Sequence, residues 1–266
     1  MDTLSRWNGR GARADTRRAS LPGASGRSTP LKNRILAGLS RKDYARILPD
    51  LAPITLEFGQ ILYEPGNVMQ WAYFLETAIV SILFLAADGT SIEVSAVGME
   101  GMIGIPIVLK SHSVPYRMLV QQPGTALRMK ADVLRKEFDR CGVFHTSLLN
   151  YVHILLVQLS QSSACNRFHT IRERLCRWLL ASHDRAGSNE LNFTQEFLAQ
   201  MLGVNRGSAN EAASALQTAG LIRYRRGRIT ILDRAGLEAA ACECYHVVKG
   251  EFDRFFDSSR EGGQPL

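Results

Sequence analysis

Four arginines crowd into six positions near the end of this 266-residue chain: Arg223, Arg225, Arg226 and Arg228. A guanidinium keeps its charge at any working pH and presents N–H donors in a planar fork, so a cluster this dense suits the phosphate oxygens of a polyanion. Leu221 to Tyr224 and Ile229 to Leu232 read as two strands around the turn Arg225-Arg226-Gly227-Arg228, which places the cluster on a hairpin. The elements that must hold that hairpin precede it. Thr194 suits the N-cap of a helix over Gln195 to Leu202, Gly203 makes a tight corner, and Asn205 caps a second helix running to Ala219, with Gly220 where a left-handed C-cap is wanted. Ala199, Val204, Ala209, Ala212 and Leu216 fall where two crossed helices touch. The sum is a helix-turn-helix with a wing, the unit whose second helix enters the DNA major groove. Double-stranded DNA is therefore the expected partner. Thr194 and Asn205, at the two helix N-termini, join Arg223, Arg225, Arg226 and Arg228 as expected phosphate contacts.

Charge is distributed accordingly. The chain carries a formal +7, of which residues 1–30 hold +4, 31–163 hold +1, 164–232 hold +5 and 233–266 hold −3. A positive field on the last third and the N-terminal tail, beside a nearly neutral middle, points to a nucleic-acid partner for the C-terminal half. Residues 1–30 are rich in Arg, Gly, Ala and Ser without periodicity and read as a disordered basic tail. At 45% hydrophobic the chain has material for a sizeable core and two domains. No apolar run is read as long enough to span a membrane. Five cysteines without a signal peptide or a disulfide framework make a reducing cytoplasm the expected compartment.

Residues 31–130 are strand-rich. Ile92, Val94 and Ala96 alternate with Ser91, Glu93 and Ser95, facing Ile79 to Leu85 across a turn at Asp88-Gly89. Further runs at Ile54 to Phe58, Ile61 to Tyr63, Met118 to Gln121 and Ala126 to Met129 lie between Gly and Pro punctuation. Many short strands of this kind predict a β-roll or jelly-roll barrel. Helix follows over 131–163: a short one from Ala131 to Asp139, then a long one from Val143 to Ser163. Leu148, Val152, Leu155 and Leu159 recur at spacings of 4, 3 and 4 residues, with Leu149, His153 and Leu156 beside them. A helix apolar on more than one flank is buried on two sides, and this predicts a homodimer seam. Phe168 to Leu180 reads as a further amphipathic helix that turns Ile171, Leu175, Trp178 and Leu179 to the winged domain over 164–232. The fold class is thus α+β: a sensor-like β-roll, a long dimerisation helix and a winged helix-turn-helix.

That order of parts resembles the Crp/Fnr family of bacterial transcription regulators. The similarity covers roughly residues 31–232 and rests on Arg172-Glu173-Arg174-Leu175-Cys176-Arg177-Trp178-Leu179-Leu180, on Leu202-Gly203-Val204-Asn205-Arg206, and on Ala219-Gly220-Leu221-Ile222. Gly98-Met99-Glu100-Gly101-Met102-Ile103-Gly104 looks like the family's phosphate-cassette entrance. The resemblance implies a cyclic-nucleotide-binding-like fold and a homodimer that regulates transcription initiation on a palindromic operator, with RNA polymerase a candidate partner. It also makes Arg206, Ser208, Asn210 and Glu211 the groove-facing edge. There a guanidinium matches guanine, an amide matches adenine and a carboxylate matches the cytosine amino group.

The same resemblance exposes a departure. Members that bind cyclic AMP hold the ribose with a Gly-Glu pair and the phosphate with Arg-Ser or Arg-Thr, but here the Glu position falls on Met102 and the Arg position on Val114. A buried phosphate without such donors is heavily penalised. Gly101, Met102, Gly104, Val114 and Arg117 therefore form a degenerate effector pocket, and cyclic-nucleotide independence is expected. Iron–sulfur members need cysteines near the N-terminus, and no Cys precedes Cys141. Cys242-Glu243-Cys244 reads as two small residues on a helix, and His145 and His153 as packing residues, so no metal or other cofactor is expected. No catalytic constellation stands out, which excludes an enzyme from the reading. Residues from Arg234 to Asp257, capped by Asp233, read as one more helix in a C-terminal extension over 233–266. The competing reading is a ligand-binding signalling subunit whose winged module makes protein contacts.

Overall fold

The computed structural model describes residues 31–258 apart from His112. The basic tail expected at residues 1–30 lies outside the described residues. Chain order begins with two short helices, α1 (Arg34–Ala37) and α2 (Arg41–Ile47), and continues into β1 (Ala52–Leu56), β2 (Ile61–Tyr63), β3 (Trp71–Leu75), β4 (Ile79–Leu85), β5 (Ser91–Val97) and β6 (Met102–Ile103). After the single turn α3 (Ile105–Val108) come β7 (Arg117–Gln122) and β8 (Gly124–Lys130). These eight strands form two antiparallel four-stranded sheets, ordered β1-β8-β3-β6 and β2-β7-β4-β5, that enclose one core. This is the predicted β-roll. Strands β3 and β6 carry no alternation and were not foreseen.

Three helices separate the barrel from the reader: α4 (Ala131–Phe138), α5 (Val143–Phe168) and α6 (Ile171–Ala186). Helix α5 runs 26 residues, five beyond its predicted end, and α6 starts three residues late because Thr170 and Glu173 form a capping box there. By length and composition α5 meets what a membrane-crossing helix needs, against the expectation that no run would be long enough. Its inner face is packed, with Phe144, Leu148, Tyr151 and Ile154 buried in the barrel core.

The reader consists of β9 (Glu190–Asn192), α7 (Gln195–Leu202), α8 (Arg206–Thr218), β10 (Ile222–Arg225) and β11 (Arg228–Ile231), joined in the sheet order β10-β11-β9. The last two helices are α9 (Arg234–Ala239) and α10 (Cys244–Ser258). The single C-terminal helix expected from Arg234 to Asp257 is thus broken between Ala239 and Cys244. Asp233 still caps its start by accepting from Gly236 N. Helix α10 folds back on α5, and Phe252 and Phe256 enter the barrel core.

Barrel and reader pack against each other. The outer face of the β2-β7-β4-β5 sheet is covered by α6 and α7: Leu83 is fully buried among reader residues, with Leu85 and Leu119 beside it. Phe58 and Phe197 rings lie 6.0 Å apart across the same seam. Burial on both faces explains why Ile79 to Leu85 is nearly continuous in apolar residues rather than alternating. In β5 the predicted two-face alternation fails at Val94, where a bulge sets Ile82 opposite Ser95 but Leu83 opposite Glu93. One extra residue reverses the parity, so Ala96 shares the reader-facing side with Ser91 and Glu93.

Candidate nucleic-acid interface

Helix α7 has the predicted bounds because each end is specified locally. The Thr194 hydroxyl accepts from Phe197 N at 3.1 Å, and Gly203 closes the helix at φ 62°. Asn205 then caps α8 by accepting from Ser208 N at 2.9 Å. Gly220, at φ 73°, ends it in the left-handed conformation. Ala209, Ala212, Ala213 and Leu216 are buried against α6 and α7, which leaves the opposite edge of α8 exposed.

On that edge Arg206 and Asn210 lie one turn apart and are joined through Gln195 of α7. Arg206 Nη2 donates to Gln195 Oε1 at 3.4 Å, and Gln195 Nε2 donates to Asn210 Oδ1 at 2.6 Å. Sequence reasoning missed Gln195, whose role depends on the crossing of two helices. Glu211 is exposed nearby. Ser208 is half-buried and sits about 200° around the helix from Arg206, on the far side of the Arg206–Asn210 line.

The wing turn is tight. Arg226 and Gly227 have φ of 50° and 77°, with Arg225 paired to Arg228. A turn with two positive φ values matches the twist of the strands that it joins. Arg223, Arg225, Arg226 and Arg228 are all exposed and line one shallow groove with Thr230. Among the described residues Arg228 alone of these four approaches a carboxylate, at 3.6 Å from Glu190, and that pair is open to solvent. A second groove, lined by Thr194, Gln195, Arg206, Tyr224 and Arg226, connects the start of α7, the start of α8 and the wing. Thr194 therefore lies between reader helix and wing, and its hydroxyl oxygen, like Asn205 Oδ1, is engaged in a helix cap. The surface presents mainly guanidinium and amide donors toward solvent, beside the carboxylates of Glu196 and Glu211.

The expected effector positions lie elsewhere. Met102 is 1% and Val114 7% exposed, both within the barrel core beside Ile103, Ile105 and Met118. Gly101 is pressed against Tyr151 of α5, so that a Cβ there would fall 2.1 Å from the phenol oxygen. Gly104, at φ 127°, is similarly close to Ala72. Arg117 points outward into a two-pronged ion pair with Glu64, at 2.9 and 3.0 Å. Four of these five positions are thus packed into the barrel, and the fifth is turned outward.

Beside the apolar contact around Leu83, the barrel also presents a polar seam to the reader. Trp178 Nε1 and Ser81 Oγ donate to the Glu93 carboxylate at 2.8 and 2.7 Å, and Arg185 Nε lies 2.6 Å from Glu100 Oε1. Burial raises the Glu93 carboxyl above its ordinary range, against the pull of those donors and of Arg185. A cavity of about 300 Å³ opens in this seam, bounded by Glu93, Gln158, Arg174, Arg177 and α10. Ser95 Oγ, Gln158 Oε1, Arg174 Nε and Arg177 Nε are buried there without hydrogen-bond partners.

The outer stripe of α5 differs from the predicted seam. Leu148 is fully buried in its own chain, and Val152 and Leu155 are half-buried against the barrel core. Leu149, Leu156 and Leu159 are the exposed leucines, at 44%, 59% and 40%. Of the second flank that was expected to need a partner, part is covered by α10. His145 contacts the Phe138 carbonyl at 2.8 Å and stacks on its ring, whereas His153 is exposed near Glu251, so the two do not meet. All five cysteines are free, and Cys242 and Cys244 are not an isolated pair on a helix. They flank the start of α10 and meet Cys165 and His169 at the end of α5.

Known proteins place these parts in a family context. Residues 173–240 match the family model of the Crp-like helix-turn-helix domain. No curated protein matches the chain. Among solved structures, FixK2 from Bradyrhizobium japonicum is similar over 72% of this chain and 98% of its own, with a TM-score of 0.63 and 16% identity. CLP, a c-di-GMP responsive global regulator from Xanthomonas campestris, covers 72% of this chain and 99% of its own at TM-score 0.61 and 15% identity. A CRP-family transcriptional regulator from Thermus thermophilus covers 71% and 96% at TM-score 0.60 and 19% identity. At these identities the likeness is one of fold.

Proposed function

We propose that this chain, a Crp/Fnr-type transcription regulator with a helix-turn-helix reader, binds a roughly palindromic operator as a homodimer and needs no cyclic nucleotide to do so. The observation that carries the reading is the exposed edge of α8 where Arg206 and Asn210 are joined through Gln195 of α7, with the four-arginine wing on one flank. A reader of protein surfaces has little use for such guanidinium density, whereas a duplex offers phosphates at that spacing. Arg206 and Asn210 discriminate bases and the wing holds backbone.

Two-fold operators follow from two-fold proteins. Leu149, Val152, Leu156 and Leu159 recur at 3, 4 and 3 residues along the outer face of α5, the spacing of a coiled-coil seam, and this set replaces the one centred on Leu148. The nucleotide-independent part of the proposal rests on the packed interior around Met102 and Val114 and on the outward ion pair of Arg117. Selection of bound fragments from random duplex DNA with the purified protein tests all three parts together. Enrichment of a palindrome without nucleotide supports them. Enrichment of nothing, or of a site only with added cyclic AMP or cyclic GMP, refutes them.

A further inference from the structure

We propose that Cys165, His169, Cys242 and Cys244 bind one zinc ion in a closed tetrahedral site that pins the α5–α6 hinge to the C-terminal extension. The four ligand atoms lie within 4.8 Å of one another. Cys165 Sγ is 3.5 Å from Cys242 Sγ, and Cys244 Sγ is 3.5 Å from His169 Nδ1. Bond lengths of about 2.3 Å to sulfur and about 2.0–2.1 Å to nitrogen in a tetrahedron require ligand separations of about 3.5–3.8 Å. Two of the separations already have that length, and the 4.8 Å bound on the others leaves about 1 Å of closure for a single ion to gather all four.

Surroundings fit the same ion. Glu243 Oε1 lies 3.2 Å from His169 Nε2, so a carboxylate stands beside the ring nitrogen that the metal would leave free. That arrangement fixes the tautomer and raises the basicity of a ligating histidine. The three cysteines are 0%, 4% and 1% exposed, which leaves no place for a water ligand and marks the site as structural rather than catalytic. On binding, three thiols release their protons to solvent, three sulfur lone pairs and one from Nδ1 form the four bonds, and nothing is oxidised or reduced. Three thiolates around one divalent cation leave a net charge of −1. Arg174 and Arg177 neighbour these sulfurs, and each has a buried Nε without a partner, so the cationic side of the balance is already present.

The site also accounts for the interruption of the C-terminal helix. Cys242 and Cys244 converge on the end of α5 only because the chain leaves helical geometry between Ala239 and Cys244. His169 is the residue between α5 and the Thr170 cap of α6, so the ion holds the joint from which the reader departs.

The test is metal analysis of the full-length protein, purified reduced and free of added affinity tags. One zinc per chain is expected. Exchange with cobalt(II) should give the strong visible bands of a tetrahedral ion together with thiolate-to-cobalt charge transfer. Cys165→Ser and Cys244→Ser should lose the metal, and Cys141→Ser should keep it. Glu243→Gln leaves all four ligands and a surface position, and should lower affinity about 10- to 100-fold in chelator competition. Absence of metal from reduced protein, an octahedral cobalt spectrum, or an affinity unchanged by all of Cys165→Ser, Cys244→Ser and Glu243→Gln overturns the proposal.

Discussion

Arg185 of α6 holds Glu100 of the barrel across the seam, Nε to Oε1 at 2.6 Å, with the two side chains only 9% and 10% exposed. Removing one partner of a buried pair strands the other charge in a poorly solvating site. Arg185→Ala should therefore cost about 3–5 kcal/mol of stability in denaturant titration. Arg228→Ala, which opens the exposed Arg228–Glu190 pair, should cost less than about 1 kcal/mol. Equal losses would show that the seam is solvated in solution.

The long helix makes an assembly prediction. Leu156 faces solvent in the isolated chain and Leu148 does not. Leu156→Glu should leave the monomer folded, give single chains by light scattering and abolish palindrome binding, since a two-fold axis would bury the new charge twice. Leu148→Glu should unfold the protein instead. A dimeric Leu156→Glu would place the seam elsewhere.

DNA contacts separate by their response to sequence and salt. Arg206→Ala should weaken operator binding by about 1–3 kcal/mol and relax preference at one base pair per half-site. Arg226 occupies a left-handed turn position, so asparagine replaces it with less strain than most residues. Arg226→Asn should flatten the slope of log affinity against log salt by about 0.9 per lost phosphate contact and leave the preferred sequence unchanged. A changed sequence preference from the wing variant would assign base reading to the hairpin.

Glu93 gives the seam a pH dependence. Its carboxyl is raised in the folded protein, so the folded state binds the proton more tightly than the unfolded chain does. The stabilising contribution is full below the ordinary glutamate pKa of about 4.3 and is lost as pH rises through the shifted value. Glu93→Gln keeps an acceptor for Trp178 and carries no charge to desolvate. Its melting temperature should exceed that of the parent by a margin that grows from pH 4 to pH 7. A margin that shrinks over that range would mean that Arg185 and Trp178 outweigh desolvation.

The reader was legible in the sequence because its signals are local. Thr194, Gly203, Asn205 and Gly220 each act within a few residues, and all four do what their types suggest. The barrel was legible strand by strand wherever one face is wet. It failed at β3 and β6, which show no alternation, and in the face assignment around Val94, since a bulge leaves no mark on the hydrophobic pattern. Choosing Leu148 over Leu149 as the outward residue of α5 depended on whether the second apolar flank meets a partner or α10, which returns from a hundred residues later. The same distance hid the Cys165–Cys242 encounter, 77 residues apart in sequence. Gln195 was invisible for a related reason: its amide gains a role only when α7 and α8 cross.

The core burial of Met102 and Val114 bears on how the proposed nucleotide independence could be reversed. Restoring glutamate at 102 and arginine at 114 would put two ionised groups where hydrocarbon now touches hydrocarbon, with Tyr151 pressed on Gly101 from the adjoining helix. Such a graft would first have to excavate a chamber by trimming Ile103, Ile105 and Met118, and each truncation weakens the fold that must carry the response. Nucleotide responsiveness around Met102 and Val114 is thus a question of volume before it is one of charge.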